Sequence, residues 1–186
     1  MKKILLGIIF AGLIAAATIG NGEASFTHEA NLSISINEAQ DLIAKGDKNF
    51  DAGKYDEAIK NYTAAIKIDD TDVEAYNRLG AAYYKKGDFD AAIKNFNQTI
   101  KMDPSYAQGY SNRGQSYAEK GNANKALADF NKAIEIDPNY SLAYSNRGVL
   151  YINAGDTEKG IADLKKAIEL DPTNQNAKDN LQKISQ

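Results

Sequence analysis

The chain has 186 residues, 25% charged and 43% hydrophobic, and its 22 Lys and Arg stand against 25 Asp and Glu. This balance excludes general binding to nucleic acid, which needs clustered cations for the phosphates. The chain has no Cys and one His. That composition excludes disulfides, thiolate nucleophiles and iron–sulfur clusters, and it leaves few ligands for any metal. The length fits one domain of ordinary size.

The first residues have the layout of a secretory signal peptide. Lys2 and Lys3 precede an uncharged, mostly apolar run over residues 4–19, and small residues lead up to Ser25. We expect residues 1–24 to be removed by cleavage after Ala24, which makes the protein periplasmic or secreted without stable membrane insertion. An uncleaved segment that tethers the chain to the membrane is the alternative, but the run is shorter than the roughly 20 residues that span a bilayer.

After this segment the chain repeats with a period of 34 residues. The only prolines, Pro104, Pro138 and Pro172, have this spacing. Large apolar residues and small residues recur with the same period. The glycine series are Gly46, Gly80, Gly114 and Gly148, and Gly53, Gly87, Gly121 and Gly155; the large series is Tyr62, Phe96, Phe130 and Leu164. Such a regular period indicates stacked copies of one structural unit.

Each unit reads as a helical hairpin. Apolar residues three or four apart predict one helix over residues 73–86 and a second over residues 89–102. Gly87 ends the first helix and Pro104 follows the end of the second. Gly80 opposite Ala92 would let the two helices approach closely. One hairpin cannot bury both of its faces, so the hairpins are expected to stack.

These series of recurring residues resemble the tetratricopeptide repeat, whose 34-residue units carry small, aromatic and proline residues at fixed places. The resemblance implies an all-α fold, a right-handed superhelical solenoid of four antiparallel hairpins. The expected organisation is a flexible arm at 25–38, repeats at 39–72, 73–106, 107–140 and 141–174, and a capping helix at 175–186. Asn37 and Gln40 are read as a capping box for the first repeat helix.

The resemblance also implies a concave groove lined by the first helix of each hairpin, where relatives bind extended peptides or partner helices. The groove residues carried over are Asn77, Tyr84, Lys85, Gln108, Ser111, Asn112, Gln115, Leu142, Ser145, Asn146 and Ile152. The inward-facing places of the first helices also hold, among others, Asp47, Asp51, Glu74, Arg78, Glu119, Val149 and Asn153. The groove is expected to be polar and neutral in the middle, with amides for a peptide backbone and an apolar end.

One subtype of the family grips a C-terminal carboxylate with a cationic clamp. In the first possible register the clamp places hold Ile43, Asp47, Arg78, Gln108 and Asn112, and in the second they hold Asn77, Ala81, Asn112, Leu142 and Asn146. Neither set supplies the required cations, so binding of chaperone tails is not expected.

Other polar features have structural explanations. The turn with Asp69, Asp70 and Asp72 reads as a solvated turn that caps the next helix rather than a cation site. Arg113 and Arg147 are expected to lay their stems on tyrosine rings, with the guanidinium in solvent or on a carboxylate. No nucleophile elbow, phosphate loop or dinucleotide motif follows the signal segment.

The sequence therefore predicts a non-catalytic scaffold of a bacterial-type cell envelope, or a secreted one, that binds a protein or peptide. It predicts no cofactor, no metal site and no nucleic-acid partner, and a homo-oligomer is compatible with it. Two alternatives remain: a regulatory or accessory subunit of an enzyme or assembly complex, and a module that binds cell-wall polysaccharide.

Overall fold

The structure is a computed structural model that describes the backbone of residues 23–184 and the side chains of residues 35–184. Nearly all of the predicted signal segment, 1–22, lies outside the described residues. The described part is helical, and the repeats lie in one compact unit, Ile36–Gln186. The helices are α1 (Glu23–Asp51), α2 (Tyr55–Ile68), α3 (Val73–Lys86), α4 (Phe89–Met102), α5 (Ala107–Glu119), α6 (Ala123–Ile136), α7 (Ser141–Asn153), α8 (Thr157–Leu170) and α9 (Gln175–Ile184).

The hairpins begin and end where the repeat pattern predicts. Helices α3 and α4 have the predicted bounds, and Gly87 between them adopts a left-handed conformation with φ of 87°. Its N–H donates to the carbonyl oxygen of Tyr84 at 2.9 Å, and the Asp88 carboxylate then accepts from Ala91 N at 3.0 Å to cap α4. A residue with a Cβ adopts this backbone conformation at a cost, which explains the glycine series at this place.

The other glycine series makes room for a buried ring. A Cβ added to Gly80 would lie 2.6 Å from Cε1 of Phe96, and one added to Gly114 would lie 2.8 Å from Cε1 of Phe130. Both rings are almost fully buried. The three atoms nearest to a Cβ on Gly80 all belong to the Phe96 ring, which fills the space between the two helices. In the fourth repeat, a Cβ on Gly148 would lie 3.0 Å from the carbonyl oxygen of Gly160, which holds the place of Ala92.

Short acidic turns join one hairpin to the next. Asp69 accepts hydrogen bonds from both the backbone N (2.9 Å) and the hydroxyl (2.6 Å) of Thr71, and Asp72 caps α3 by accepting from Ala75 N at 3.0 Å. The bonds from Thr71 hold the pKa of Asp69 below its ordinary value. The prediction that this turn caps the next helix is confirmed.

An arginine ties adjacent hairpins together. Arg113 on α5 donates from Nε and Nη2 to the two carboxylate oxygens of Asp129, at 2.8 and 2.6 Å, and from Nη1 to Asn97 Oδ1 at 2.6 Å. Asp129 belongs to the same hairpin and Asn97 to the preceding one. The guanidinium carbon lies 5.5 Å from the centre of the Tyr110 ring. Because the bidentate pair is mostly buried, its geometry fixes three helices relative to each other.

The same arrangement recurs one repeat later. Arg147 donates to both carboxylate oxygens of Asp163, at 2.7 and 2.9 Å, and to Asn131 Oδ1 at 2.7 Å. The expectation that these arginines lie on tyrosine rings and reach a carboxylate is confirmed for both. In the second repeat Leu79 takes the place of the arginine and Asn95 takes the place of the aspartate. The second repeat thus has uncharged residues at both places, and the Asn95 amide donates to the Ala91 carbonyl oxygen at 2.8 Å instead.

The two ends of the repeat array differ in how well they were predicted. Helix α1 begins at Glu23, so the expected flexible arm at 25–38 is helical and the capping box at Asn37 is wrong. Residues 25–38 contain neither Gly nor Pro, and nothing in them ends a helix that extends backward from the first repeat.

Helix α9 caps the other end as expected. Ala177 is buried, and Leu181 and Ile184 pack against the cluster around Leu164. The exposed face of the helix carries Lys178 and other polar residues. A solenoid end that presents polar side chains does not recruit a further repeat.

The glycine–ring contact predicts a stability effect at Gly114. Gly114→Val should lower the free energy of unfolding by about 1–3 kcal/mol, because the added carbons collide with the Phe130 ring. Chemical denaturation followed by circular dichroism measures this. Ala128→Val, at an exposed place on α6, is the control and should change stability by only a few tenths of a kcal/mol. Equal stability of the two variants would contradict the contact.

The arginine tie predicts a rescue. Arg113→Leu should cost roughly 3–5 kcal/mol, because it leaves the Asp129 carboxylate buried without its cation. The double variant Arg113→Leu/Asp129→Asn should recover most of the loss, since it copies the pair that the second repeat already uses. A double variant as unstable as the single one, measured by denaturant unfolding, would show that the carboxylate is not the source of the cost.

Candidate binding groove

Two adjoining clefts lie on the face formed by the first helices of the hairpins. The first, of about 190 Å³, is lined by Ala81, Tyr84, Lys85, Phe96, Asn112 and Gln115. The second, of about 340 Å³, is lined by Tyr84, Gln115, Ala118, Glu119, Phe130, Asn146, Val149, Leu150, Asn153, Asn176 and Asn180. Tyr84 and Gln115 belong to both clefts. We call the two together the groove; it runs from the second repeat to the capping helix.

Of the eleven residues carried over as groove residues, five line the clefts: Tyr84, Lys85, Asn112, Gln115 and Asn146. Glu119, Val149 and Asn153, at the other inward-facing places, line the second cleft as well. Gln108 is exposed but lines neither cleft. Three predicted groove residues lie beneath the surface instead: Asn77, Ser111 and Ser145, which are 2%, 1% and 0% exposed. They sit one residue before the groove-lining place on each helix, where side chains meet the neighbouring repeat rather than solvent.

Of the three residues predicted for the apolar end of the groove, Val149 lines the second cleft, and Leu142 and Ile152 do not. Leu142 is 48% exposed and lines neither cleft. Ile152 packs against α8, with its Cγ1 atom directly beside the place where a Cβ of Gly160 would stand. Leu142 and Ile152 are ten residues apart on one helix, about 15 Å along its axis, and do not form one pocket. The apolar lining of the second cleft comes from Val149, Leu150 and Phe130.

The buried polar residues anchor the amides of the groove. Asn112 donates from Nδ2 to Asn77 Oδ1 at 3.0 Å, and Asn146 donates from Nδ2 to Ser111 Oγ at 3.4 Å. Each bond joins one repeat to the next and uses one of the two N–H donors of an amide. The second N–H and the carbonyl oxygen remain for a ligand. We call Asn112 and Asn146 the amide ladder of the groove.

The amide ladder ends at the capping helix. Asn180 occupies the next place in the series, but it donates to the Asn176 carbonyl at 2.8 Å. By the pattern of the two preceding bonds, Asn180 would donate to Ser145. The buried Oγ of Ser145 instead has no hydrogen-bond partner among the described residues. The capping helix therefore lines the groove without continuing the bonds between repeats.

Charged residues near the first repeat bind one another. The hydroxyl of Tyr62 donates to Asp47 at 2.8 Å, and Arg78 pairs with Asp47 and, at 3.2 Å, with Glu74. The hydroxyl of Tyr106 donates to the other oxygen of Glu74. We call these five residues the tyrosine–carboxylate network. Because these charges are paired with one another, the first end of the repeat array has fewer free polar groups for a ligand than the groove has.

Burial, reinforced by the carboxylates, raises the pKa of Tyr62 and of Tyr106 well above the ordinary value. In the groove, Tyr84 behaves similarly. Its hydroxyl donates to Glu119 at 3.3 Å, and burial together with this carboxylate raises its pKa. The Tyr84 ring also packs against Phe89, with 5.6 Å between ring centres. Tyr84 is thus a fixed wall between the two clefts.

Among the side chains of residues 35–184, no cluster of His, Asp and Glu has the arrangement of a metal site. No helix within residues 23–184 combines the length and apolar character needed to cross a bilayer. The groove offers amide side chains, one aromatic wall and single charges.

Stacked helical hairpins with a shallow polar groove along one face define a helical-repeat scaffold for protein interactions. The sequence matches the tetratricopeptide repeat over residues 77–141 and 141–174, and a further TPR repeat description matches residues 46–87. The chain belongs to the tetratricopeptide repeat family. Modules of this family are generally interaction modules without catalysis. No curated protein sequence matches the chain.

Solved structures with the same fold are numerous. The crystal structure of MamA is 26% identical over 84% of this chain and 97% of its own, with a TM-score of 0.65. A thermophilic tetratricopeptide repeat protein of Thermus thermophilus is 26% identical over 74% and 77%, with a TM-score of 0.70. The first repeat domain of Spaghetti (RPAP3), bound to the HSP90 peptide SRMEEVD, is 28% identical over 64% and 94%, with a TM-score of 0.61.

Sequence reasoning missed the buried role of Asn77, Ser111 and Ser145. The sequence does carry a signal for this role. A small polar residue recurs at this place with the repeat period, and it directly precedes Arg78, Asn112 and Asn146 respectively. The arginine tie also has a signature, an aspartate sixteen residues after Arg113 and an asparagine sixteen before it.

The tyrosine–carboxylate network predicts a loss of stability in alkali. Folding raises the pKa of Tyr62 and Tyr106 above the ordinary value of 10.0, so the folded state favours their neutral form. The contribution is fully present below about pH 10 and is lost as the pH rises further. Tyr62→Phe/Tyr106→Phe should flatten the fall in unfolding free energy above pH 10.

The comparison is made by denaturant unfolding at a series of pH values. Tyr76→Phe, outside the network, is the control and should keep the slope of the parent protein. A parent-like slope in the double variant would contradict the assignment of this alkaline loss to the network.

Proposed function

We propose that the protein is an exported scaffold that binds an extended segment of another protein along the groove. The observation that carries the proposal is the amide ladder, in which Asn112 and Asn146 are fixed by bonds between repeats. Each keeps one donor and one acceptor for a ligand.

An extended segment suits these amides for a physical reason. Its backbone N–H and C=O groups have no partners within the segment, and they lose water when it binds. An asparagine side chain offers a donor and an acceptor at once, as a neighbouring strand does. Because the amides are held in place before binding, less side-chain entropy is lost on binding.

A relative supports peptide binding in general. The Spaghetti (RPAP3) domain was solved with the HSP90 peptide SRMEEVD bound. In this chain the places of a cationic clamp hold residues such as Gln108 and Leu142, and Arg78 is paired with Asp47. We therefore propose a ligand that is held by its backbone inside a longer chain rather than by a terminal carboxylate.

The signal-like start of the sequence supports the cellular part of the proposal. Lys2, Lys3 and the apolar run over residues 4–19 match a signal peptide, and the small residues before Ser25 match a cleavage site. Export places the ligand among proteins of the cell envelope or the secreted fraction. The prediction of an accessory subunit differs in the size of the partner, so the mass of the species captured by cross-linking separates the two.

The groove is tested by site-specific cross-linking. A photo-reactive amino acid at Gln115, which lines both clefts, should capture a partner in the producing cells, whereas the same amino acid at Ala128 on α6 should not. Gln115→Trp fills the groove and should reduce capture by a second photo-reactive residue at Asn153, while Ala128→Trp should leave it unchanged. Capture that is equal in both tryptophan variants would contradict the groove as the binding site.

Export is tested by the mature N-terminus. We expect the isolated protein to begin at Ser25, since cleavage is predicted after Ala24. Intact mass and N-terminal sequencing measure this in envelope and culture fractions. A chain that keeps Met1 and sediments with the membrane would support the tethered alternative, and one that keeps Met1 in the soluble cell interior would contradict export.

A further inference from the structure

Three charged residues of alternating sign and one asparagine hold equivalent places in the four repeats, and the last three of these residues line the groove. The place near the end of each first helix holds Asp51 on α1, Lys85 on α3, Glu119 on α5 and Asn153 on α7, each 34 residues from the next. All four are exposed. Lys85 lines the first cleft, and Glu119 and Asn153 line the second. We call these four residues the charge row.

The charges of the row are not used by ion pairs within the described part of the protein. Glu119 accepts one hydrogen bond, from the hydroxyl of Tyr84. The adjacent lysines behave differently: Lys86 pairs with Asp56 at 2.6 Å, and Lys120 pairs with Asp90. The residues directly next to the row therefore join repeats together, while the row itself keeps its charges for solvent or a ligand.

The spacing of the row matches an extended chain. Packed helices lie about 8–10 Å apart, and α3 and α5 are in contact, as are α5 and α7. A segment in the polyproline II conformation advances about 3.1 Å per residue with three residues per turn, so one turn covers about one repeat and every third side chain lies on the same face. A segment of this conformation whose backbone lies on the amide ladder therefore brings every third side chain to the row.

We propose that the ligand is an extended segment whose side chains are basic, acidic and basic at every third position, facing Asp51, Lys85 and Glu119 respectively, followed by an uncharged residue at Asn153. The inference rests on the proposed function and specifies its partner. A uniformly acidic segment meets repulsion at Asp51 and Glu119, and a uniformly basic one meets it at Lys85. The row thus selects by sign pattern and not by net charge.

Peptides of defined pattern test this selection. The matched peptide is Lys-Ser-Ser-Asp-Ser-Ser-Lys, which has the same sign pattern in either direction. Two peptides of identical composition place the charges differently, Lys-Ser-Ser-Lys-Ser-Ser-Asp and its reverse. Fluorescence anisotropy with the isolated full chain should give the matched peptide about tenfold tighter binding, since several exposed pairs contribute modestly and together. Identical composition removes any effect of net charge.

An exchange of charges supplies the decisive variant. Lys85→Glu/Glu119→Lys leaves the net charge unchanged and turns the row into two acids followed by a base. The preference should move to one of the two rearranged peptides, and the one that gains reveals the direction of the ligand. The control exchange, Lys101→Glu/Glu135→Lys, uses exposed residues 34 apart on the second helices and should keep the parent preference.

Three results would overturn the inference: equal binding of all three peptides, no measurable binding of the matched peptide up to about 1 mM, or a preference unaffected by the exchange. Its failure is separable from failure of the proposed function. If Gln115→Trp still blocks cross-linking while the peptides show no preference, the groove binds its partner without the charge row. If Gln115→Trp has no effect on cross-linking, the groove itself is not the site.

Discussion

The repeat array depends on the contact between a glycine of each first helix and a large side chain of the second helix in the same hairpin. Gly80 and Gly114 lie so close to Phe96 and Phe130 that a single added carbon would overlap the ring. This contact sets the distance between the paired helices, and the same distance repeats along the chain. Because every hairpin has nearly the same shape, stacking brings equivalent residues into rows, and those rows are what a ligand would meet.

Polar contacts then divide the molecule into parts with different roles. Near the first repeat, Tyr62, Asp47, Arg78, Glu74 and Tyr106 bind one another across two repeats. In the groove, one donor of Asn112 is used internally while its remaining polar atoms stay available. The mostly buried Arg113–Asp129 pair holds neighbouring hairpins together without contributing to the groove surface. Polar groups are therefore paired internally near the first repeat, while hydrogen-bonding capacity is left unfilled in the groove of the later repeats.

Much of the fold was predictable because it follows from local rules applied with a period. The bounds of α3 and α4 follow from apolar spacing, Gly87 and Pro104, and the capping helix follows from its apolar stripe. The start of α1 was not predictable in the same way, since residues 25–38 lack both the repeat period and a helix stop. Five of the eleven candidate groove residues line the clefts. Ser111 lies beneath the surface instead, because adjacent residues on a helix face different directions and the packing of the next repeat decides which of them meets solvent.

The sequence by itself determined the repeat unit, its four copies, the fold family and the expectation of export, because spacing and residue type suffice for these. Tertiary structure alone decided which polar residues face solvent. Asn77 and Asn112 are both asparagines on first helices, yet one is buried as the acceptor for the other. That difference arises from the angle at which one hairpin packs on the next, and the angle is a property of the stacked helices rather than of any single segment.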